Sequence, residues 1–507
     1  MTAMARRARD SAVRQGLSPE LRETHSGMVV LFGDRAYKVK KPVVTDFLDF
    51  STPEARTRAL RRELDLNRRW ASDVYLGLAE LTDPVGGPSE TVLVMRRMPE
   101  SRRLGTLVAE GAIGRDRLAE LALMLDRFHR NADRGRTIDQ AGEPDALRSR
   151  WRILLDGLRS QPADELDPAH VARIEHLALR FIDGRAPLLA DRIADRRIID
   201  GHGDLIAEDI FVLDDGLRIL DCLDFDDSLR YVDGLDDAAF LAMDLEFRGR
   251  ADLSEGFLDD YLRAAEDAPP ASLRHHYLAY RATVRAKTNR IRAAQGEPEY
   301  AEHARRHVRL ALGHLESGAV RLALIGGLPG TGKSTVAAAL ARETGAEVIS
   351  SDTVRAQLRT AGAITGAAGV LDAGAYVPEA KARVYTRMLE LARQRLALGV
   401  SVILDASWLD AAERARAEAL AGITYSDLVT LRCECPRQVA ATRIRTRRPG
   451  DSEATPDIAI ALSTNVSPWP AATTLDTAAP LAATVAGALR AWNNPERAAP
   501  EPEGVHR

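Results

Sequence analysis

The sequence predicts two units of different kind, an α+β unit followed by an α/β unit with a parallel sheet. Three observations predict this. Short apolar runs cluster early, MVVLF (28–32), AYKVK (36–40) and TVLVMRRM (91–98), and long helical stretches follow them. From VRLALIGG (320–327) onward, strand-like and helix-length segments alternate, the pattern of a parallel sheet. Between the first of those strands and the first of those helices stands GLPGTGKS (327–334), a complete GxxxxGK[ST] loop in the context that motif requires.

A chain of 507 residues is too long for one core; at roughly 100–200 residues per domain it should hold about three domain-sized units. The expected division is a polar lead over 1–24, a first domain over 25–316 with a small lobe ending near 100, a second domain over 319–492, and a disordered Pro-rich tail over 493–507. The net charge of −4 and pI near 6.3 give no reason to expect a nucleic-acid or membrane partner. The N-terminus is charged and lacks the apolar core of a signal peptide, and no apolar run is long enough to span a bilayer. Cys222, Cys433 and Cys435 form no metal-ligand pattern such as CxxC, so reduced thiols in a cytoplasmic protein are expected. Of 70 basic residues only Lys38, Lys40, Lys41, Lys287, Lys333 and Lys381 are lysines. Arginine is the default cation, which marks the lysines as places where a compact ammonium is wanted. A solvated strand end would also account for the KVKKP cluster.

In chain order, PEARTRALRRELDLNRRWAS (53–72) reads as a helix, with Pro53 suited to its first turn and Leu60 and Leu64 at helical spacing. Helices dominate from about 115 to 190. Strands return near 198–200, 210–213 and 218–221, the last two joined by a DDG turn at 214–216. From 234 to about 316 the pattern is helical again, and then the alternating unit begins.

In that unit Gly327, Gly330 and Gly332 let the backbone curl so that its N–H groups face phosphate oxygens, and the helix N-terminus adds its positive end. Lys333 is placed to reach the β- and γ-phosphates, and Ser334, next to Thr335, to offer a hydroxyl to Mg²⁺. Asp405 ends the apolar strand SVILD and Asp352 ends EVISSD, with Arg355 three residues on. In an open parallel sheet both carboxylates fall at the edge beside the phosphate loop. Asp352 could take a proton from an acceptor hydroxyl, or could cap the helix that follows. These segments resemble the small P-loop kinases of the gluconate kinase, polynucleotide kinase and zeta-toxin type. The resemblance implies that Asp352 is the base, that Arg355 completes its Asp-x-x-Arg motif, and that an arginine-bearing lid closes over the phosphates. ATRIRTRRPGDSEA (441–454) stands in the lid's place, which makes Arg443 and Arg447 candidates; a solvated helix and loop is the plainer reading of that stretch. Such chains also carry an AAA-family ATPase label, but no arginine-finger or hexamer signature is visible.

The first unit centres on GHGDLIAEDIF (201–211). An Asp in a His-x-Asp loop can orient an attacking hydroxyl, and a residue five positions on can hold metal. That assigns Asp204 as base, Asp209 as metal ligand and Asp221, at the end of the apolar strand RILD, as the second ligand. Upstream, Lys38 or Lys40 on a strand would pair with Glu63 on the next helix. Strand alternation puts both lysines on one face, and Lys38 lies further inside the strand. This order resembles the aminoglycoside phosphotransferase and choline kinase group of the protein-kinase-like fold, over about residues 25 to 290, with Asp237 matching a structural Asp of that group. The whole arrangement resembles bacterial two-domain proteins of the bifunctional aminoglycoside phosphotransferase/ATP-binding type. The group usually reads His-Gly-Asp-Leu-His-x-x-Asn; here Ile206 replaces the second His and Asp209 the Asn, and no glycine-rich loop precedes Lys38.

The resemblance implies ATP and Mg²⁺ as cofactors, a hydroxyl of a small molecule as acceptor, and a phosphotransferase with two nucleotide sites. A regulatory ATP-binding protein whose first unit is a degenerate sensor is the alternative, motivated by Ile206 and Asp209. A nucleic-acid 5′-hydroxyl kinase is a minor one, since charge and aromatic–basic patterning do not support it. The acceptor and the oligomeric state are not readable from the sequence.

Overall fold

The computed structural model describes residues 19–23, 27–43, 49–82, 86–87, 89–160, 166–364, 378–446, 460, 462–463 and 466–494. Arg447, most of the polar lead and all but two residues of the expected tail lie outside the described residues. The chain groups into two compact units, Met1–Glu143 with Arg192–Ala268, and Pro144–Asp191 with Pro269–Arg507. The segment 25–316 contributes to both.

In the first unit, strands β1 (Glu20–Glu23), β2 (Gly27–Phe32), β3 (Arg35–Lys40), β4 (Tyr75–Leu81) and β5 (Glu90–Arg96) form an antiparallel sheet in the order β1-β2-β3-β5-β4. The sheet lies within the stretch where the sequence reading expects a small lobe. The helix Pro53–Ala71 starts at Thr52, whose hydroxyl accepts the Ala55 N–H at 3.2 Å, and carries Pro in its first turn. Leu60 and Leu64 drop onto Tyr75, Val74 and Leu93 to form the lobe's core. Strand β4 has no counterpart in the sequence reading: YLGLAEL contains a glycine and leaves four of its seven residues exposed, so it shows little alternation. Strand β1 falls inside the expected polar lead, because ELRE is charged and wholly exposed at a sheet edge.

Beyond the small lobe, β6 (Ile198–Asp200) pairs with β9 (Tyr231–Asp233), and β7 (Ile210–Leu213) with β8 (Gly216–Ile219). The hairpin turn is Asp214–Asp215, two residues long, with Gly216 at φ +124°. The second strand therefore runs 216–219, two residues earlier than the 218–221 expected, which leaves Asp221 outside the ladder at a left-handed φ of +60°.

In the second unit, β10 (Arg321–Gly326), β11 (Glu347–Ser350), β12 (Val402–Asp405), β13 (Asp427–Glu434) and β14 (Thr473–Asp476) form an all-parallel sheet in the order β11-β12-β10-β13-β14. Alternate residues of the central strand feed the two faces. Leu322 and Leu324 join Met388, Leu404 and Trp408 on one side; Ala323 and Ile325 join Val336, Leu340 and Ile403 on the other. The expected limit between 316 and 319 falls within this unit. Arg185, 1% exposed, donates to the Thr424 carbonyl at 2.7 Å, and Arg180 to that of Ser426 at 2.8 Å. Together they bind the end of the helix Pro168–Gly184 to the turn that opens β13.

Candidate active sites

The phosphate loop sits where β10 turns into the helix Lys333–Thr344. Its glycines are required by geometry. Gly330 stands at φ +81°, and a Cβ there would lie 2.6 Å from the Ala440 carbonyl oxygen. Gly327 donates its N–H to Ser407 O at 3.0 Å and would place a Cβ 2.5 Å from Cys433 O. Gly332, at φ +85°, lets the helix start directly at Lys333. The Lys333 ammonium reaches back to the Leu328 carbonyl at 3.0 Å.

One cleft of about 660 Å³ is lined by Gly330, Gly332, Lys333, Ser334, Thr335, Asp352, Asp405 and Arg443. Every residue expected at this site within the described segments lines that cleft except Gly327, which shapes the loop from beneath, and Arg355, which holds Asp352 at 2.5 Å. Asp352 is not at a strand end. Strand β11 stops at Ser350, the helix Ser351–Thr360 begins at once, and Ser350 rather than Asp352 caps it by accepting the Asp352 N–H at 3.3 Å. Asp405 does end β12; burial raises its carboxyl above the ordinary range, while Lys333 and the Ser334 hydroxyl pull it back. Arg443 is held by the Thr477 carbonyl at 2.7 Å, and the Thr477 hydroxyl donates to Thr331 O in the loop at 2.7 Å. Thr477 carries no motif, and nothing in the sequence pointed to it.

In the first unit, Glu63 is 1% exposed and takes both lysines: Lys38 at 2.6 Å and Lys40 at 2.9 Å. Lys38 also reaches Asp221 at 3.5 Å and Lys40 reaches Asp224 at 3.2 Å. The two lysines thus share one glutamate, and Lys38 is the one tied to the expected metal ligand. Burial opposes the charge on Lys38, but Asp221 and Glu63 outweigh it and hold the ammonium well above the usual lysine range. Lys38 in turn pulls Asp221 below the usual carboxylate range. Asp209 behaves oppositely: burial, then the charges of Asp221 and Asp204, push its carboxyl well above the ordinary value. Lys38, Lys40, Glu63, Asp209, Asp221 and Asp224 line a cleft of about 990 Å³ with Met98 and Pro99. Asp204 is half-buried in its loop, close enough to Asp209 for their charges to interact.

The loop's backbone is fastened from behind. Asp237 accepts the N–H groups of His202 at 2.7 Å and Gly203 at 2.9 Å, and meets His129 Nε2 at 3.1 Å. The His202 ring, fully buried, lies 3.0 Å from Leu220 O, and burial depresses its pKa. Asp244 accepts the Ala207 N–H at 2.9 Å, and the Tyr75 hydroxyl accepts that of Asp221 at 3.1 Å. Asp237 was expected only from the resemblance; His129, Asp244, Tyr75 and Asp224 carry no motif, and each, like Asp237, acts across more than 30 residues of chain.

Both donor sets fit Mg²⁺. The Ser334 hydroxyl hydrogen-bonds the Asp405 carboxylate beside the phosphate loop. Asp209 and Asp221 crowd like charges that a divalent cation would relieve. Among the described residues no three His, Cys, Asp or Glu side chains converge as a ready-made metal cage. Mg²⁺ does not need one, since it keeps water and phosphate oxygens around one or two carboxylates.

Over 475 residues the chain is 48% identical to the uncharacterized protein Rv2004c of Mycobacterium tuberculosis (strain ATCC 25618 / H37Rv), across 94% of this chain and 95% of that protein. The chain belongs to the family of that mycobacterial protein. Within this family member, residues 322–464 match the AAA domain family, a span that contains the phosphate loop from Gly327 onward, Asp352 and Asp405. Among solved structures, the family member is similar to a choline/ethanolamine kinase family protein from Mesorhizobium loti, with a TM-score of 0.36 and 15% identity over 59% of this chain and 92% of that one. It is also similar to a gluconokinase from Sinorhizobium meliloti 1021, with a TM-score of 0.27 and 18% identity over 36% of this chain and 94% of that one. Among the described residues no helix is long and apolar enough to cross a membrane.

Proposed function

We propose that this chain is an ATP- and Mg²⁺-dependent phosphotransferase with two nucleotide sites, moving the γ-phosphoryl group to a hydroxyl of a small molecule. The observation that carries the reading is the convergence of Lys333, Ser334, Asp352, Asp405 and Arg443 on one cleft at the mouth of the phosphate loop. Phosphoryl transfer depends on positioning and charge neutralisation more than on covalent chemistry. Lys333 and the loop amides hold the phosphates, Arg443 adds positive charge from the facing helix, and Arg355 orients Asp352 to receive the acceptor's proton. Bound Mg²⁺, held by Ser334 with Asp405 behind it, supplies further charge neutralisation at the phosphates. In the first unit Lys38, oriented by Glu63, serves the phosphates, Asp209 and Asp221 would hold the metal, and Asp204 faces the acceptor.

Lys333→Ala is the test. It removes most ATP turnover if the second unit is the principal site; unchanged turnover overturns that assignment. Acceptors are sought with a panel of sugars, amino sugars, aminoglycosides and nucleosides, with the phosphorylated product detected by mass.

The second reading, a sensor role for the first unit, has an observation in its favour: Lys38 and Asp221, expected to serve phosphate and metal, pair with each other at 3.5 Å. Turnover that survives in Lys333→Ala and disappears on adding Asp204→Asn makes the first site catalytic. ATP binding there without turnover makes it a sensor.

A further inference from the structure

Behind the 201–209 loop, in the first unit and away from the cleft of Lys38, lies a polar cavity of about 360 Å³. Arg130, Arg134, Arg192, Arg196 and Arg197 line it. Two of these are neutralised where they stand. Arg192 binds Asp233 and Asp267, each at 2.7 Å, and Arg130 binds Asp126 at 2.8 Å. The other three are not. Arg134 donates to the carbonyls of His129 and Ala132 at 2.7 Å, and Arg197 to those of Ala265 at 3.0 Å and Glu266 at 3.2 Å. A carbonyl satisfies a donor but does not cancel a full positive charge. The carboxylate near Arg197 is Asp267, 3.9 Å away and already taken by Arg192. The Arg197 Nε is buried without a hydrogen-bond partner.

Arg196 is exposed at the cavity's edge, on a left-handed backbone at φ +56° where glycine would sit without strain. Counted together, the five arginines of the lining face four carboxylates, Asp126, Asp195, Asp233 and Asp267, which leaves one positive charge in excess. Burial lowers the Arg134 pKa, and Arg196 and Arg197 add to the fall, so the three cations feel one another.

The cavity wall leads to the loop. His129 and Tyr261 both line it, joined Nδ1 to hydroxyl at 2.8 Å. The other nitrogen of His129 meets Asp237, whose two oxygens accept the His202 and Gly203 amides. We propose that this cavity is a regulatory site for a small oxyanion of the phosphate or phosphate-monoester class, and that its occupancy reaches the 201–209 loop through His129 and Asp237. Planar guanidinium forks match such oxyanions, and an excess of positive charge suits an anion. The binding half of the proposal stands apart from phosphotransfer; the coupling half rests on the loop being the catalytic loop of the first site.

The test uses the full chain carrying Lys333→Ala, so that the phosphate loop does not dominate uptake of the probe, titrated with inorganic phosphate by calorimetry. In that background Arg196→Glu weakens phosphate binding by roughly tenfold or more, while Arg196→Lys, which keeps the charge, costs less than about threefold. Phosphate slows amide exchange at His202 and Gly203 in the parent and leaves it unchanged in Arg196→Glu. Absence of saturable binding, or equal affinity in Arg196→Glu and the parent, overturns the site. Binding that depends on Arg196 but leaves exchange at His202 and Gly203 unaltered overturns the coupling.

Discussion

Glu63→Gln tests the arrangement on which the first site is built. The carboxylate is buried, and its two oxygens take Lys38 at 2.6 Å and Lys40 at 2.9 Å. Glutamine keeps one acceptor and turns an NH₂ group toward the other ammonium. Breaking one side of a buried ion pair costs about 3–5 kcal/mol, because the partner is left uncompensated. Here each lysine retains a second acid, Asp221 at 3.5 Å or Asp224 at 3.2 Å, which places the loss at the low end, about 3 kcal/mol. For a unit of this size each kcal/mol lowers Tm by about 2–4 °C, so the melting of the first unit falls by about 6–12 °C. Scanning calorimetry of the full chain reads this directly. Because the pair is sheltered, high salt should not erase the difference. A shift of under about 2 °C, or one abolished by salt, means that Glu63 is solvated and the two-lysine arrangement does not hold the cleft.

Three further predictions follow from particular contacts. Asp209→Asn should be more stable than the parent at neutral pH in the absence of metal. The native carboxyl is held above its ordinary value, so its ionisation costs the folded state stability as pH rises from about 4, and the loss is complete once pH passes the folded pKa. Thermal melts across pH check this, with the gap shrinking when Mg²⁺ is added; parallel curves for the two proteins would show that Asp209 is not crowded. Gly330→Ala forces a left-handed alanine, at about 1–2 kcal/mol, and drives a Cβ against the Ala440 carbonyl at 2.6 Å. Nucleotide affinity at the phosphate loop should drop by roughly tenfold or more with the circular dichroism spectrum unchanged, and an unaltered Kd would mean that the loop amides do not bind phosphate. Asp237→Asn leaves one oxygen where two received amides, a loss of about 1–3 kcal/mol, and should speed hydrogen exchange at His202 and Gly203. Unchanged exchange would remove Asp237 from the loop's support.

The parts of the site legible in the sequence are those whose geometry is local. The phosphate loop is one, because three glycines and a helix start within eight residues dictate its backbone. The strand that ends in Asp405 is another, since its burial on both faces shows as an uninterrupted apolar run. Strand β4 was missed because an exposed strand with a glycine lacks period-two contrast. Asp352 was placed one element too early because SSD reads equally as a strand end or a helix start, and the Ser350 hydroxyl decides between them.

The sequence by itself determined that the chain joins an α+β unit to a parallel α/β unit, and it supplied the candidate lysines, carboxylates and glycines of the two clefts. Tertiary structure alone decided how they meet. Lys38 and Asp221 are 183 residues apart, so no spacing rule could relate them, and only folding shows that Lys38 rather than Lys40 reaches Asp221. The same holds for Thr477 beneath Arg443, for His129 behind the 201–209 loop, and for the helices of 144–191 and 269–317 that group in one unit with the parallel sheet. Periodicity records which face of an element is buried; it does not record what that face is buried against.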